Sequence, residues 1–282
     1  VPIPELTLHQ AAEMLGVHYM TAYRYVRLGL LPAEKLGGVW QVRHVDLEQF
    51  QAGTATTPVK AGTPAPWAER LESRLVVGDA QGAWGVVEAA LAAGTALDAV
   101  YLEVLSPALV SIGSRWAAGE LDIAVEHRAT GIAMRLIGRL GPRFVRRGRT
   151  RGSIVIGAPQ GERHGLPVAI VADLLRLEGW EVSDLGADTP ASSFAHTVSM
   201  MDDAVAVGVS VTHPDNLGAA AEVCAAVSAL SPQVLCVLGG PAVAGTEHAR
   251  ELGAHAFAGS ARELVQMIGA HGGESGRPLA QA

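Results

Sequence analysis

The sequence predicts a multidomain α and α/β chain: a winged helix-turn-helix head, a four-helix bundle, and a doubly wound parallel sheet. Three observations predict it. A short helix pair turning at Gly16 and followed by a tight hairpin fills residues 1–52. Apolar residues at helical spacing run through residues 67–142. Short β-branched runs punctuated by glycine then alternate with helical stretches over residues 153–270.

In the head, Leu6 to Val17 reads as a short amphipathic helix stopped by Gly16, and residues 18–28 as a second helix carrying Thr21, Arg24, Tyr25 and Arg27. Leu36 to Arg43 reads as a hairpin wing and Val45 to Phe50 as a closing helix. Residues 1–52 hold four basic side chains, Arg24, Arg27, Lys35 and Arg43, against the five acidic Glu5, Glu13, Glu34, Asp46 and Glu48. All four basic residues fall on the recognition helix or the wing, where phosphates or guanine edges are met. DNA-binding is therefore assigned to Thr21, Arg24, Tyr25, Arg27, Lys35 and Arg43, with several copies needed for a firm grip. A protein-binding helix pair is the competing reading.

Residues 53–66 have no apolar period and read as a linker. In the bundle, Asp79 caps a helix through Trp84, Val87 and Leu91, and Thr95 caps the next, through Val100, Leu105, Leu109 and Ile112. Leu121 to Leu140 forms another, with Ile123, Ile132, Leu136 and Leu140 inward, and Leu71 to Val76 a shorter piece. Residues 143–152, with five arginines, form a basic linker. Beyond it, strands are expected at Ser153–Gly157, Glu181–Gly186, Ala204–Val209 and Val234–Gly239, with Thr189 and Pro190 starting a helix. The ligand of such a sheet sits at the carboxyl ends of its strands. Residues 271–282 read as a mobile tail.

At 282 residues the chain accommodates two or three compact units, and 49% apolar with 17% charged residues is a folded composition. A net charge of −7 argues against non-specific coating of nucleic acid or membrane. Cys224 and Cys236 lie in apolar runs without ligand-like spacing and read as core thiols in a reducing cytosol. With no signal peptide and no apolar run long enough for a bilayer, a cytoplasmic location is expected. The start at Val1 points to a trimmed N-terminus.

The first strand of the sheet leads into Gly157-Ala158-Pro159-Gln160-Gly161-Glu162-Arg163-His164. A histidine that ligates a metal through one nitrogen wants an acceptor on the other, and Glu162 supplies one. Two further landmarks follow. Forty-two residues separate Pro167 from Ser210-Val211-Thr212, and 26 separate Thr212 from Gly239-Gly240. In the bundle, Trp116 is followed after nine residues by Glu126-His127.

These motifs carry three resemblances. The head resembles MerR and excisionase-like winged domains. The Glu-x-His, Ser-x-Thr and Gly-Gly landmarks resemble the Rossmann-like cobalamin-binding domain shared by methionine synthase, B12-dependent mutases and B12 photoreceptors. That resemblance implies His164 as the lower axial cobalt ligand and Glu162, in place of the usual Asp, as its partner. Ser210 and Thr212 then line the pocket of the displaced cofactor tail, and Gly239 and Gly240 leave room for it. The Trp-x9-Glu-His spacing resembles the helical cap of CarH/LitR-type photoreceptor regulators, which places Trp116, Glu126 and His127 around the upper group of adenosylcobalamin. The order of the three parts also matches that family.

The resemblance implies a light-responsive, adenosylcobalamin-dependent transcription regulator, a repressor, acting as a homo-oligomer (dimer or tetramer) on double-stranded operator DNA and not an enzyme. Two departures stand out. Pro167 replaces the family's glycine, and Ala117 replaces the histidine that follows the cap tryptophan. They keep open a regulator of this architecture that senses cobalamin or another tetrapyrrole-like ligand without light. A corrinoid carrier for a methyltransferase is a third reading, opposed by the head. His213, His248 and His255 read as ordinary surface residues.

Overall fold

The computed structural model describes residues 5–17, 19–27, 31–36, 39–51 and 65–275, in two compact units divided between Glu126 and His127. The first unit opens with β1 (Glu5–Thr7), α1 (Leu8–Met14), α2 (Tyr19–Arg27), β2 (Glu34–Leu36), β3 (Val39–Arg43) and α3 (His44–Gln51). Thr7 starts α1 through a capping box: its hydroxyl accepts from the Gln10 N–H at 3.4 Å, while Gln10 Oε1 accepts from the Thr7 N–H at 2.9 Å. Gly16, at φ +67°, ends the helix in the left-handed turn that glycine takes without a Cβ penalty. The expected hairpin is present, and β1 adds an unexpected third strand in the antiparallel order β1-β3-β2. Leu8, Ala11, Ala22, Val26, Leu31, Val42 and Leu47 form the head's core.

Three helical segments follow: α4 (Trp67–Val77), α5 (Ala80–Ala92), and a continuous helix made of α6 (Leu97–Ala99), a π-helical turn (Val100–Leu105) and α7 (Ser106–Ala117). Asp79 caps α5 as expected, accepting from the Gly82 N–H at 2.8 Å. Thr95 does not cap the next helix. That helix begins after Ala96, and the Thr95 N–H is spent on Ala90 O at 3.1 Å. Leu71 and Leu75 of α4, Ala83, Val87 and Ala90 of α5, and Val100, Tyr101, Val104, Leu105, Ala108 and Ile112 are buried. One expectation is corrected here. Leu97–Ala117 is a 21-residue helix of mean hydropathy 1.3, long and apolar enough to cross a membrane by length and composition alone. The core helix of a folded domain passes the same test, and six of its residues lie in this unit's interior.

The fourth long helix, α8 (Ile123–Leu140), starts two residues later than expected because Asp122 takes the Ala124 N–H at 2.8 Å. Ile132, Leu136 and Leu140 are buried as expected, but Ile123, in the first turn, is exposed.

In the second unit, β4 (Ser153–Gly157), α9 (Leu166–Leu177), β5 (Glu181–Asp184), α10 (Ala191–Ser199), β6 (Ala204–Ser210), α11 (Leu217–Leu230), β7 (Leu235–Gly239), α12 (Thr246–Glu251), β8 (Ala256–Ala258) and α13 (Ala261–Ser275) build a parallel sheet. Its order is β5-β4-β6-β7-β8. Alternation along β4 sends Val155 to one face, with Phe194 of α10 and Val223 of α11, and Ile154 and Ile156 to the other, with Val168 of α9 and Ile268 of α13. Both faces are covered, so this is a doubly wound Rossmann-like sheet. β8, which the sequence reading lacked, adds the fifth strand. Pro190, not Thr189, is the residue before α10, and α13 takes in residues 271–275, which the sequence reading placed in the tail. The chain leaves β4 toward β5 on one side and β6 on the other. The switch point is therefore at the carboxyl ends of β4 and β6.

Candidate functional site

The loop that leaves β4 at this switch point is pinned from both sides. The Ala158 N–H donates to Gly186 O at 2.8 Å, and the Ala158 carbonyl accepts from the Thr189 N–H at 3.0 Å. Asp188, the one described non-glycine residue at positive φ (55°), accepts from the Gly161 N–H at 2.7 Å and donates its own N–H to Glu162 O at 2.8 Å. Gly161 sits at φ +88°, and a Cβ there would stand 2.8 Å from Asn216 Oδ1. Glycine is required twice over.

These contacts drive the Glu162 side chain inward, where it is 1% exposed. A buried carboxylate persists only where donors replace water. Glu162 Oε2 accepts from Thr212 N at 2.8 Å, His213 N at 2.9 Å and Asn216 Nδ2 at 3.1 Å. Oε1 accepts from His164 N at 3.2 Å and faces His164 Nδ1. Burial pushes the carboxyl's pKa upward, but the hydrogen bonds from His164, His213, Thr212 and Asn216 outweigh it and lower it to about 2. Glu162 is thus an anion at neutral pH and ties the β4 loop to the β6 loop.

Against the ionised Oε1, Nδ1 of His164 is the nitrogen placed to donate, and Nε2 is the nitrogen that points away from the carboxylate. The imidazole is 55% exposed, and Nε2 has no partner among the described residues. Among those residues no group of three His, Cys, Asp or Glu side chains gathers as for a bare ion. One presented imidazole therefore suits a metal that arrives with most of its ligands in a prosthetic group, and the chain's donor set fits a corrinoid. Pro167 lies in the first turn of α9, where its missing N–H costs nothing.

Ser210 pairs with Gly239 at the carboxyl ends of β6 and β7, so the two later landmarks adjoin there. Ser210 and Thr212 are half-buried, and neither hydroxyl bonds to a described residue. For Gly240 the structure gives its own reason. At φ +102°, a Cβ would stand 2.3 Å from Val211 O, and a Cβ on Gly239 would stand 3.1 Å from Ala258 O. The backbone of neighbouring strand ends fills that space.

Trp116, 44% exposed, stands in the last turn of α7. The preceding Arg115 is ion-paired to Glu72 of α4 at 2.7 Å and to Glu120 at 3.4 Å, which fixes this helix end. Glu126 is half-buried and His127 exposed in the first turn of α8.

In the head, Thr21, Arg24 and Arg27 lie on α2 and Lys35 on β2, but their side chains fall outside the described residues. Arg43 is paired with Asp46 through two hydrogen bonds of 2.6 and 2.9 Å, which raises its pKa further and neutralises its charge locally. Tyr25, also assigned to DNA, is half-buried and packs against Phe50 of α3 with ring centroids 5.0 Å apart.

Sequence reasoning missed Asn216, the side-chain donor that completes the Glu162 cage, and Asp188. Asn216 sits in the Pro214–Asn216 turn, and only its Pro-Asp-Asn composition hinted at a turn. His213 is held to Asp215 and lends its N–H to Glu162, His248 accepts from the Ala244 N–H, and His255 from the Cys236 N–H.

Comparison with known proteins matches three family descriptions: a helix-turn-helix domain over residues 5–55, and two models each described as a B12 binding domain, over residues 67–140 and 152–268. The trimethylamine corrinoid protein of Methanosarcina barkeri is 30% identical over 123 residues, covering 40% of this chain and 54% of its own. Trimethylamine corrinoid protein 1 of Methanosarcina acetivorans is 31% identical, covering 39% and 52%. The chain thus spans about half the length of the curated relatives it matches. The monomethylamine corrinoid protein of M. barkeri superposes with a TM-score of 0.63 at 21% identity, covering 71% of this chain and 96% of that one, and shows the shared fold. These matches support a cobalamin cofactor and a DNA-binding head on one chain.

Proposed function

We propose that this chain is a cytoplasmic, light-responsive, adenosylcobalamin-dependent transcriptional repressor that binds operator DNA as a homo-oligomer. In this reading residues 1–52 bind DNA, residues 67–142 are the helical cap and residues 153–270 hold the corrinoid, with linkers at 53–66 and 143–152. The observation that carries it is the Glu162 cage, which presents one imidazole at the switch point of a chain that also has a helix-turn-helix head.

Each residue's part follows from its chemistry. Glu162 would orient His164 through Nδ1, and Nε2 of His164 would be the nitrogen that holds the cobalt. Ser210 and Thr212 offer hydroxyls to the polar tail of the cofactor, beside Gly239 and Gly240. Trp116 offers an indole face, and Glu126 and His127 hydrogen-bonding groups, to the upper adenosyl moiety. When bound, adenosylcobalamin supplies a cobalt–carbon bond that visible light breaks. Arg24, Arg27 and Lys35 meet phosphates, with Thr21 and Tyr25 on the same helix as the two arginines and Arg43, held by Asp46, on the wing. Because one head carries more acidic than basic residues, affinity for DNA depends on how many heads act together. A ligand governs that number only by binding the two arrangements with different affinity, and the adenosyl group against Trp116 is the difference assigned here.

The test is one series on the purified chain with adenosylcobalamin: absorbance before and after green light, then sizing and a gel shift. Light-dependent loss of both assembly and DNA binding is expected. Corrinoid uptake with assembly and DNA binding indifferent to light would leave a cobalamin sensor that ignores light, a reading favoured by Ala117 where an upper histidine is expected. The curated relatives are named as trimethylamine corrinoid proteins, and methyl transfer to the bound corrinoid would establish the carrier reading instead.

A further inference from the structure

The segment joining α8 to β4 is the most basic stretch of the chain, and the function proposed above makes no use of it. Arg143, Arg146, Arg147, Arg149 and Arg151 fall within nine positions of a chain whose net charge is −7. The segment is anchored at both ends. Phe144 is fully buried, and its N–H donates to Gly141 O at 3.0 Å. Arg151 donates its N–H to Gly179 O at 3.0 Å and its guanidinium to Gly269 O at 3.1 Å, while lying 4.5 Å over the Trp180 ring.

Between these anchors the chain edges a groove of about 260 Å³ against Gly179 and Val182. Arg176 on the groove's far side is neutralised by Asp173 at 2.8 Å. Arg146, Arg147 and Arg149 are exposed, and with Arg143 they have no carboxylate partner among the described residues. Three unneutralised guanidinium groups crowded on a strap held at both ends, with Arg143 just before it, repel one another, and an acidic chain has ample carboxylates with which to pair them. Guanidinium forks match phosphate oxygens bidentately. Val145 is the strap's exposed apolar residue and Trp180 is buried, so it offers neither an aromatic platform for unpaired bases nor an apolar anchor for a protein.

We infer that the strap carrying Arg146, Arg147 and Arg149 is a second, sequence-independent contact for the phosphate backbone of duplex DNA. The inference rests on the DNA-binding reading above and adds a surface outside the head.

The test is the salt dependence of binding to a non-operator duplex by the full chain, with particle size followed in parallel. Each lost phosphate contact flattens the slope of log K against log salt by roughly 0.9. The variant R146A/R147A/R149A is expected to lose about 2–3 units of slope at unchanged particle size, and R146K/R147K/R149K to keep the native slope. Should the triple alanine variant unfold, the single exposed substitution Arg149→Glu is expected to flatten the slope by about one unit. An unchanged slope overturns the inference, and so does a slope that falls only because the particles become smaller. If the native chain binds no duplex even at low salt, the regulator reading fails, and the strap's role with it.

Discussion

Glu162 Oε1 and His164 Nδ1 face each other in a hydrogen bond between residues two apart, while the other oxygen of the same carboxylate is bound to amides some 50 residues away. One side chain thus sets both the orientation of the imidazole and the joint between two loops.

Replacing Glu162 by Gln is expected to weaken corrinoid binding by about 10–100-fold, the usual effect of losing a carboxylate behind a metal-bound histidine. His164→Ala should cost at least as much, and the double variant no more than His164→Ala alone, because the carboxylate acts through the ring. Spectral titration with hydroxocobalamin reads all three. Full affinity in Glu162→Gln would refute the assignment.

Folding stability should fall in acid through the same group. The folded-state pKa of Glu162 is about 2, below its ordinary value, so the unfolded chain takes up the proton first as pH drops. The stabilisation is whole above the unfolded glutamate value near pH 4.5 and fades as pH falls toward 2, a swing of about 3 kcal/mol. Urea midpoints at pH 6, 4 and 3 should show it in the ligand-free chain, and Glu162→Gln should flatten the profile.

Cys224 of α11 and Cys236 of β7 lie with sulfurs 3.1 Å apart and are fully buried. The contact with Cys224 and burial push the Cys236 thiol far up. Both thiols should resist a thiol-reactive dye in the native state and react fully in denaturant. Rapid labelling of the native protein would show that this core opens.

Trp116→Ala is expected to change the urea midpoint little, since the indole is 44% exposed. If Trp116 serves the upper group, the variant should bind hydroxocobalamin normally and adenosylcobalamin about tenfold more weakly, roughly the 1.4 kcal/mol of one modest aromatic contact. Equal losses for both forms would remove Trp116 from that role.

The parts of the fold legible in the sequence were those with a long period or strong punctuation. Ser153–Gly157 was found to the residue because four buried positions precede a glycine exit. β1 and β8, three residues each, carry too little pattern to register. Thr95 and Thr189 were good capping residues whose backbone went elsewhere, which no local rule reveals. At the site, Glu162 and His164 stood out by type and spacing. The donors that hold Glu162 did not, because an amide N–H looks the same at every position and Thr212 and His213 are brought close only by β-sheet register. In the head, the packing of Tyr25 on Phe50 was not legible, because it joins two helices 25 positions apart in sequence.

The π-helical turn at Val100–Leu105 bears on where Trp116 points. A ring closed five residues on encloses one residue more than an α-turn, so this helix carries a spare residue at that place. Deleting one residue there lets the turn close as ordinary α-helix with the indole's heading preserved. The same deletion at Val110 would swing the indole by about 100°, and adenosylcobalamin uptake should tolerate the first change and not the second.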